Sequence, residues 1–572
     1  MPADWQADRA ADLAPKDGLS FVVGTTGAAL RRLTIAQIMH ETVAKFGPRD
    51  AVIVPGVSRL TYSGLEVETA RLAQGLLALG LRKGDRLGLW SPNRLEWVLT
   101  QFATARIGVI LVNINPAYRL TELEYALNKV GCKAIVLAER FKTSDYVAML
   151  QTLAPELADH DPHTPLNCAK LPALKTVITM GVAAQPGCIR FDEVMGHAVD
   201  LAALRQIEAG LSCDDVINIQ FTSGTTGAPR GATLTHYNIV NNARFTTDRI
   251  HLTEHDKMCI PVPLYHCFGM VMGALGCLTK GAAFVLPGEA FSPQETLRAV
   301  AAEKCTALYG VPTMFVAMLE HLETEVLDLS SLRTGIMAGA PCPIEVMRAV
   351  INQMHMSEVT ICYGMTETSP VSFQSFTDDP IEARVTTVGR VHPHLEVKIT
   401  DQDGALAPVG EIGALCTRGY SVMPGYWNDP KQTAECIDAE GWMLTGDLAM
   451  LDRQGYCSIT GRVKDMVIRG GENIYPREIE EFLYRHECIK EAQVFGIPDA
   501  KLGEALCAWI VLRPGTTATA QDIQDFCRPH IAYYKIPQII RFVDALPATV
   551  TGKPQKFIMR AKMIEELGLA EG

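Results

Sequence analysis

No stretch of this chain reaches the ~18 consecutive apolar residues that a membrane-spanning helix requires, and no two cysteines stand in C-x-x-C spacing. The first absence excludes an integral membrane segment. The second argues against a zinc site, and the sixteen cysteines, spread singly, read as buried reduced thiols of an intracellular protein. Basic charge is also scarce. Lys and Arg number 52 against 64 Asp and Glu, a net charge of −12, so nucleic acid is not the expected partner. An anionic substrate would need locally gathered cations. The opening MPADWQADRAADLAPKDG carries several aspartates and no apolar core, which speaks against a secretory signal or transit peptide and makes the cytoplasm the expected compartment. There is no Gly-x4-Gly-Lys-Ser/Thr sequence, no internal repeat and no low-complexity tract, so ordinary P-loop chemistry is not expected.

What remains is a soluble-type composition, 48% apolar and 20% charged over 572 residues, too long for a single core. From Thr34 onward helix and strand signals alternate. Thr34 to Gln37 is a capping box for a helix running toward Gly47. Ser63 to Glu66 reads as the start of a helix closing at Gly80. Arg86–Trp90, 109–112 and 133–138 read as strands, with a helix at 96–106 and another capped by Thr121 to Glu124. This alternation predicts βαβ units and mainly parallel sheets. Residues 151–187 read as an exposed excursion. Ser292, Pro293 and Glu295 mark another helix start. From Gly389 to Tyr426 short alternating runs broken by Asp-Gly and Pro-Gly predict a small antiparallel barrel or sheet. Beyond Gly461, a helix at 474–485, strands at 492–495 and 508–512, a helix at 520–527 and a strand at 538–543 predict a separate α/β domain. The expected division is a large domain over 1–461, a hinge at 462–465 and a small domain over 466–572.

The stretch with the plainest chemistry is TSGTTGAPRG, from Thr222 to Gly231, which holds four hydroxyls, three glycines and one cation. It follows the run Val216 to Phe221, read as a buried strand. Glycines after a strand expose consecutive backbone N–H groups and admit an anion closely. Hydroxyls and Arg230 suit a polyphosphate. A plain surface loop is the alternative. Val23 to Gly27 repeats the GTTG core without that context and reads as a chance match.

Four further clusters accompany it. In YGMTET, Tyr363, Gly364 and Glu367 could stack a base, admit backbone contact and hold Mg²⁺; a strand-to-turn junction is the plain reading. In WMLTGDL, Asp447 could accept from a ribose diol, or simply make a turn. GRVKDMVIRGGENIYP, 461–476, is glycine-rich and basic. LPATVTGKPQK places Lys553 between Gly552 and Pro554, where a lone lysine is ordinarily surface charge.

TSGTTGAPRG, YGMTET, TGDL, GRVKD and TGKPQK, in this order, resemble the adenylate-forming acyl-CoA synthetases, the AMP-binding family. PVPLYHCFGM, YGVPTMF, MAGAPCP and RGYSVMPGYW also look like that family's, and the resemblance spans about 34–563. It is nearest to the medium-chain and fatty acyl-CoA ligases. It implies an α/β fold: a large N-terminal domain of βα-layered subdomains with a small β-barrel-like subdomain, and a small mobile C-terminal α/β domain. It implies ATP, Mg²⁺ and coenzyme A as cofactors, a small-molecule carboxylic acid as substrate, and a homodimer as a candidate assembly. The acid attacks the α-phosphate of ATP, releasing pyrophosphate, and coenzyme A then displaces AMP from the acyl-AMP.

Carried over residue by residue, the loop Thr222, Ser223, Gly224, Thr225, Thr226, Gly227 and Arg230 would cradle the β- and γ-phosphates. Thr222 and Glu367 would hold Mg²⁺. Tyr363 would stack on adenine, with Gly364 and Thr366 in the same nucleotide-binding turn and Gly339, Ala340 and Pro341 on the other side of the base. Asp447 and Arg462 would bind the ribose. Lys553 would bridge the attacking carboxylate and the α-phosphate. Lys464 would be the pivot, and Gly470 and Gly471 would line a pantetheine channel. His266 would lie near the substrate carboxylate, or serve as a packed core histidine. Met270, Met272 and Cys277 offer apolar lining, or plain core. No Asp stands in YHCFGM to anchor an ammonium, as it does in amino-acid-activating relatives. Arg230 departs from the family's usual lysine, keeping charge while changing geometry. A carrier-protein-loading acyl-AMP ligase and an aryl or short-chain acid–CoA ligase are the alternatives.

Overall fold

Runs of buried β-branched and aliphatic residues set the framework. Ala134–Leu137 and Ile110–Asn113 are buried at every position, as strands covered on both faces by crossover helices must be. The computed structural model describes residue 8 and residues 12–222, 229–340, 342–469, 472–499, 502–548 and 554–569. Two units pack separately. The first comprises 1–13, 23–396 and 417–443, and the second 14–22, 397–416 and 444–572.

The first unit carries two large sheets. One has eight strands in the order Ile189–Arg190, Thr176–Thr179, Ala134–Leu137, Arg86–Trp90, Ile110–Asn113, Val216–Thr222, Arg230–Thr235 and Gly425–Tyr426. Its pairings are parallel as far as Val216–Thr222, and the last two are antiparallel. The other sheet has nine strands and a parallel centre in which Ala307–Gly310, Thr334–Ala338 and Glu358–Gly364 lie side by side. Val371–Gln374 then returns antiparallel to Glu358–Gly364. The second unit holds a five-stranded sheet built around Leu395–Thr400, Gly413–Gly419, Met443–Leu451 and Cys457–Arg462, with Phe21–Val23 at its edge. It also holds the C-terminal sheet, in which Ile489–Asp499 pairs antiparallel with Gly503–Leu512.

Local signals explain most element boundaries. Thr34 and Gln37 form the expected reciprocal cap of Ile35–Phe46. Ser292 and Pro293 open Pro293–Glu303 as the cap pattern requires. Other expectations need correction. The helix read from Ser63 is Tyr62–Ala78, because the Thr61 hydroxyl, two residues earlier, accepts from Gly64 N. Thr121 lies inside Leu120–Val130, whose first turn is closed by Glu122 accepting from Arg119 N. Residues 151–187 are an exposed excursion only in part: 155–172 is largely exposed, but Thr176–Thr179 is a buried strand of the eight-stranded sheet. Gly425–Tyr426 joins that same sheet rather than a barrel. The GTTG match at Val23 to Gly27 has a packing role of its own, which leaves its reading as a chance match in place: Gly24 N–H donates to Leu395 O, and a Cβ there would lie 2.0 Å from the His392 carbonyl oxygen.

Helices covering the first unit are tied by a partly buried ionic cluster. His40 Nδ1 meets Glu66 Oε1 and Nε2 meets Glu208 Oε2, both at 2.8 Å. Arg106, fully buried, reaches Glu208 Oε1 at 2.6 Å. Hydrogen bonds to Glu208 and then Glu66 raise the His40 pKa above its ordinary 6.5. Glu66 is lowered, chiefly by His40. Burial opposes the charge of Glu208, but His40 and Arg106 together leave it lowered as well. A histidine raised in the folded state stabilises fully below its unfolded pKa, and that contribution is lost as pH rises through the folded value. Denaturant unfolding is therefore expected to show stability falling as pH rises above about 6.5. In His40→Gln that fall disappears, and an unchanged slope would remove this cluster as its source.

Candidate active site

Two sheet edges bring the site residues of the first unit together. The Val216–Thr222 strand pairs antiparallel with Arg230–Thr235, and Thr222 stands opposite Arg230 in the register. Ser223, Gly224, Thr225, Thr226 and Gly227, between these two positions in sequence, lie outside the described residues. On the nine-stranded sheet, Ala338 pairs with Cys362. Gly339 and Ala340 therefore leave their strand beside Tyr363 and Gly364, at the carboxyl ends of parallel strands where ligands of α/β sheets bind. Gly339, Ala340 and Gly364 are exposed and Tyr363 is half-buried. Pro341 lies outside the described residues.

The YGMTET turn is fixed by close backbone approach. A Cβ at Gly364 would lie 1.7 Å from the Pro370 carbonyl oxygen, so only glycine fits. Met365 N donates to Pro370 O at 3.0 Å, and the Thr368 hydroxyl donates to the same oxygen at 2.6 Å. The short 3-10 turn Thr366–Thr368 follows, with Glu367 only 5% exposed. Thr222 Oγ1 donates to Glu367 Oε1 at 2.9 Å, joining the end of the Val216–Thr222 strand to a turn 145 residues away. Tyr426 Oη donates to that same oxygen at 2.9 Å. The Arg230 guanidinium lies over the Tyr426 ring, 5.4 Å from its centroid. Burial, then the Glu367 charge, pushes the nearby Cys436 thiol up to about 11.

A second polar set lies beneath. Asn218 and Gln220 point to one face of a strand read from sequence as an apolar run, and both are buried. Gln220 Nε2 donates to Asn218 Oδ1 at 3.0 Å, and Asn218 Nδ2 donates to Asn113 Oδ1 at 2.9 Å. Asn113 Nδ2 donates to Tyr265 O at 2.8 Å. At the other end the Cys267 thiol donates to Gln220 Oε1 at 3.2 Å. Burial pushes that thiol up to about 12, so it stays a donor, and Glu367 acts in the same direction. The relay thus holds both sides of His266. His266 itself is half-buried, its ring edge-on to Tyr265 at 6.0 Å. Met270, Met272 and Cys277 are buried in the large core, which is the plainer of their two readings.

In the second unit, Asp447 and Arg462 stand opposite each other on antiparallel strands, with Arg462 Nε 3.4 Å from Asp447 Oδ1. The Thr445 hydroxyl accepts from Asp447 N at 3.2 Å and fixes the turn. Lys464 is exposed on the 3-10 turn Val463–Asp465. Gly470, Gly471 and Lys553 lie outside the described residues. Sequence reasoning missed Tyr426, although RGYSVMPGYW contains it, and missed Asn113, Asn218 and Gln220. Buried amides at alternating strand positions were the available signal.

The chain is similar to known proteins along most of its length. Residues 39–427 match the AMP-binding enzyme family and 478–553 match the AMP-binding enzyme C-terminal domain. The mitochondrial medium-chain acyl-CoA ligase ACSF2 of Bos taurus is 46% identical over 97% of this chain and 91% of its own length. Among solved structures, the anthranilate CoA ligase AuaEII in complex with anthranoyl-AMP superposes with a TM-score of 0.82 at 25% identity, covering 95% of this chain and 99% of that one. ATP-bound MatB from Rhodopseudomonas palustris gives 0.77 at 28% identity, covering 94% and 100%.

Gly364→Ala is expected to cost ~3 kcal/mol in urea unfolding, because a backbone oxygen must move to make room. A cost below ~0.5 kcal/mol, the range of ordinary surface changes, would show that the turn relaxes freely.

Proposed function

The chain belongs to the AMP-binding enzyme family, and on that premise we propose that it activates a medium-chain fatty acid with MgATP and passes it to coenzyme A. It is an AMP-forming acid–thiol ligase, which makes an acyl-adenylate from ATP and a carboxylic acid and then a thioester. The observation that carries the site assignment is the 2.9 Å bond from Thr222 to Glu367, which joins the phosphate-loop strand to the YGMTET turn.

Magnesium fits what is present. Glu367 is a nearly buried carboxylate with no Lys, Arg or His in ion-pair range among the described residues. A buried anion in that condition is costly unless a cation arrives. Its carboxylate and the Thr222 hydroxyl are hard oxygen donors of the kind Mg²⁺ takes. The ion, when bound, neutralises phosphate charge and lets an anion approach the α-phosphate.

The other roles follow from the chain's own groups. The Thr222–Arg230 loop supplies N–H and hydroxyl donors and a cation to the β- and γ-phosphates. Tyr363, with Gly364 and Thr366 behind it, gives adenine a face to stack on, opposite Gly339, Ala340 and Pro341. Asp447 accepts from the ribose diol and Arg462 orients it. His266, between two relay-held residues, orients the acid. Lys553 places its ammonium on the attacking carboxylate, offsetting the repulsion between the two anions. Residues 466–572 act as a domain pivoting at 462–465, with Lys464 as the pivot and Gly470 and Gly471 bordering the pantetheine arm in the second step.

Chain length rests on the 46% identical relative, a medium-chain acyl-CoA ligase. The anthranilate CoA ligase similarity makes aryl acids the second reading. Pyrophosphate release across straight-chain, branched and aromatic acids separates them. Medium-chain acids should give the highest kcat/KM, and preference for an aryl acid would overturn the assignment. Thioester formation with free coenzyme A, rather than only with a carrier protein, tests the acceptor. The absence of disulfides among the described residues favours a reducing compartment, and we take this as the cytoplasm; cell fractionation tests it, as sedimentation tests homodimer formation. No helix among the described residues is long and apolar enough to cross a membrane.

Lys553→Ala should lower pyrophosphate release by about 10²–10³-fold, the scale for losing one charge-stabilising group, while supplied acyl-AMP is still converted to thioester. Lys464→Pro should do the reverse, keeping acyl-AMP formation and losing thioester transfer. Equal loss of both half-reactions in either variant would remove its assigned role.

A further inference from the structure

Tyr426 occupies a position that the proposed chemistry has not yet used. It sits on the two-residue strand Gly425–Tyr426, held at the sheet edge by pairing with Ala232. Its own N–H donates to Thr433 Oγ1 at 2.9 Å, so backbone and side chain are both anchored. The residue is 9% exposed, and its phenol is directed at one oxygen of one carboxylate.

That oxygen is Oε1 of Glu367, which receives Thr222 and Tyr426 together, while Oε2 accepts no hydrogen bond among the described residues. The terminal torsion of a glutamate is broad and nearly two-fold, so an unheld carboxylate presents either oxygen in many orientations. Two donors converging on Oε1 from different strands stop that rotation and leave Oε2 as the oxygen to be offered. Outer partners of this kind fix ligating carboxylates, and their removal typically costs 10–100-fold in metal affinity or activity.

Arg230 acts on the same arrangement. Its guanidinium lies over the Tyr426 ring, 5.4 Å from the centroid. A planar guanidinium can stack on an aromatic face as an ammonium cannot. The arginine that stands here in place of a lysine therefore braces the ring whose hydroxyl sets Glu367. A phenol is protonated at neutral pH, so the 2.9 Å contact is one in which Tyr426 donates and the carboxylate accepts.

We propose that Tyr426 is a positioning residue for magnesium, orienting Glu367 through the Oη–Oε1 bond, and that Arg230 locks Tyr426 in place by stacking on its ring. This rests on the reading of Glu367 as a magnesium ligand. The test measures ATP binding by calorimetry on the full chain at stepped Mg²⁺ concentrations, in wild type, Tyr426→Phe, Arg230→Lys and Glu367→Gln. Tyr426→Phe should raise the Mg²⁺ concentration for half-maximal tightening about tenfold, the low end of the cost for an outer partner. Binding of ATP without Mg²⁺ should stay within about twofold, since one oxygen that faces the carboxylate has gone. Arg230→Lys should move the Mg²⁺ requirement in the same direction by about threefold, as expected for a stacking contact of well under 1 kcal/mol.

In turnover, Tyr426→Phe should raise KM for MgATP with a smaller change in kcat, and excess Mg²⁺ should restore the rate. A wild-type Mg²⁺ profile in Tyr426→Phe overturns the inference. So does an equal loss of ATP binding with and without Mg²⁺, which marks a general packing defect; the unfolding midpoint of each variant checks that directly. If Glu367→Gln itself leaves the Mg²⁺ dependence unchanged, the metal-ligand reading fails instead.

Discussion

A nearly buried carboxylate holds the first unit's site together. Glu367 draws a hydroxyl from the end of the Val216–Thr222 strand and another from the Gly425–Tyr426 strand, and its backbone carbonyl accepts from Met423 N at 2.9 Å. Two segments distant in sequence, the strand ending at Thr222 and residues 423–426, therefore converge on one residue of a 3-10 turn. In a low-dielectric setting each of these bonds is stronger than in water, and losing any one leaves a costly unsatisfied group. The turn's backbone is held locally by Pro370, whereas the setting of the Glu367 carboxylate depends on donors from the other sheet.

The sheets deliver the parts by ordinary topology. Parallel strands end together, so Gly339, Ala340, Tyr363 and Gly364 share one sheet edge. The antiparallel return of Arg230–Thr235 puts Arg230 opposite Thr222, and the added Gly425–Tyr426 pairing brings Tyr426 to the same neighbourhood. The period of two along Val216–Thr222 sets Asn218, Gln220 and Thr222 on one face. One face of one strand thus carries both the amide relay toward Tyr265 and the hydroxyl on Glu367.

Signals of a few residues' range were readable from sequence. The Thr34 cap, the Ser292–Pro293 start and the Arg86–Trp90 strand depend only on neighbours, and the ordered motifs identified the family because their order is a global property. The errors lie where a distant partner decides. Thr176–Thr179 looked irregular because its burial comes from Ala134–Leu137, some forty residues earlier. Thr61 took the cap from Ser63 because the strand Ser58–Thr61 delivers it in extended form. Gly425–Tyr426 is two residues long, too short for any periodicity, and only its partner Ala232 makes it a strand. Asp447 and Arg462 were read as a pair by resemblance, and the antiparallel register of their strands gives the physical reason they meet.

Buried polar groups account for what sequence patterning undervalues. Asn113, Asn218, Gln220 and Cys267 stand where aliphatic residues would pack at lower desolvation cost. Each amide in the relay both donates and accepts along one direction, from the Cys267 thiol to the Tyr265 carbonyl, so reversing one amide would break its neighbours' bonds. An apolar replacement of the whole set could match its stability, as it can for other buried polar networks. It could not fix the register of the segment carrying His266 against the strand carrying Thr222, because aliphatic packing tolerates small slides and directional bonds do not. The cost of burying these amides is therefore best understood as the condition for holding the segment around His266 and the strand ending at Thr222 in one geometry.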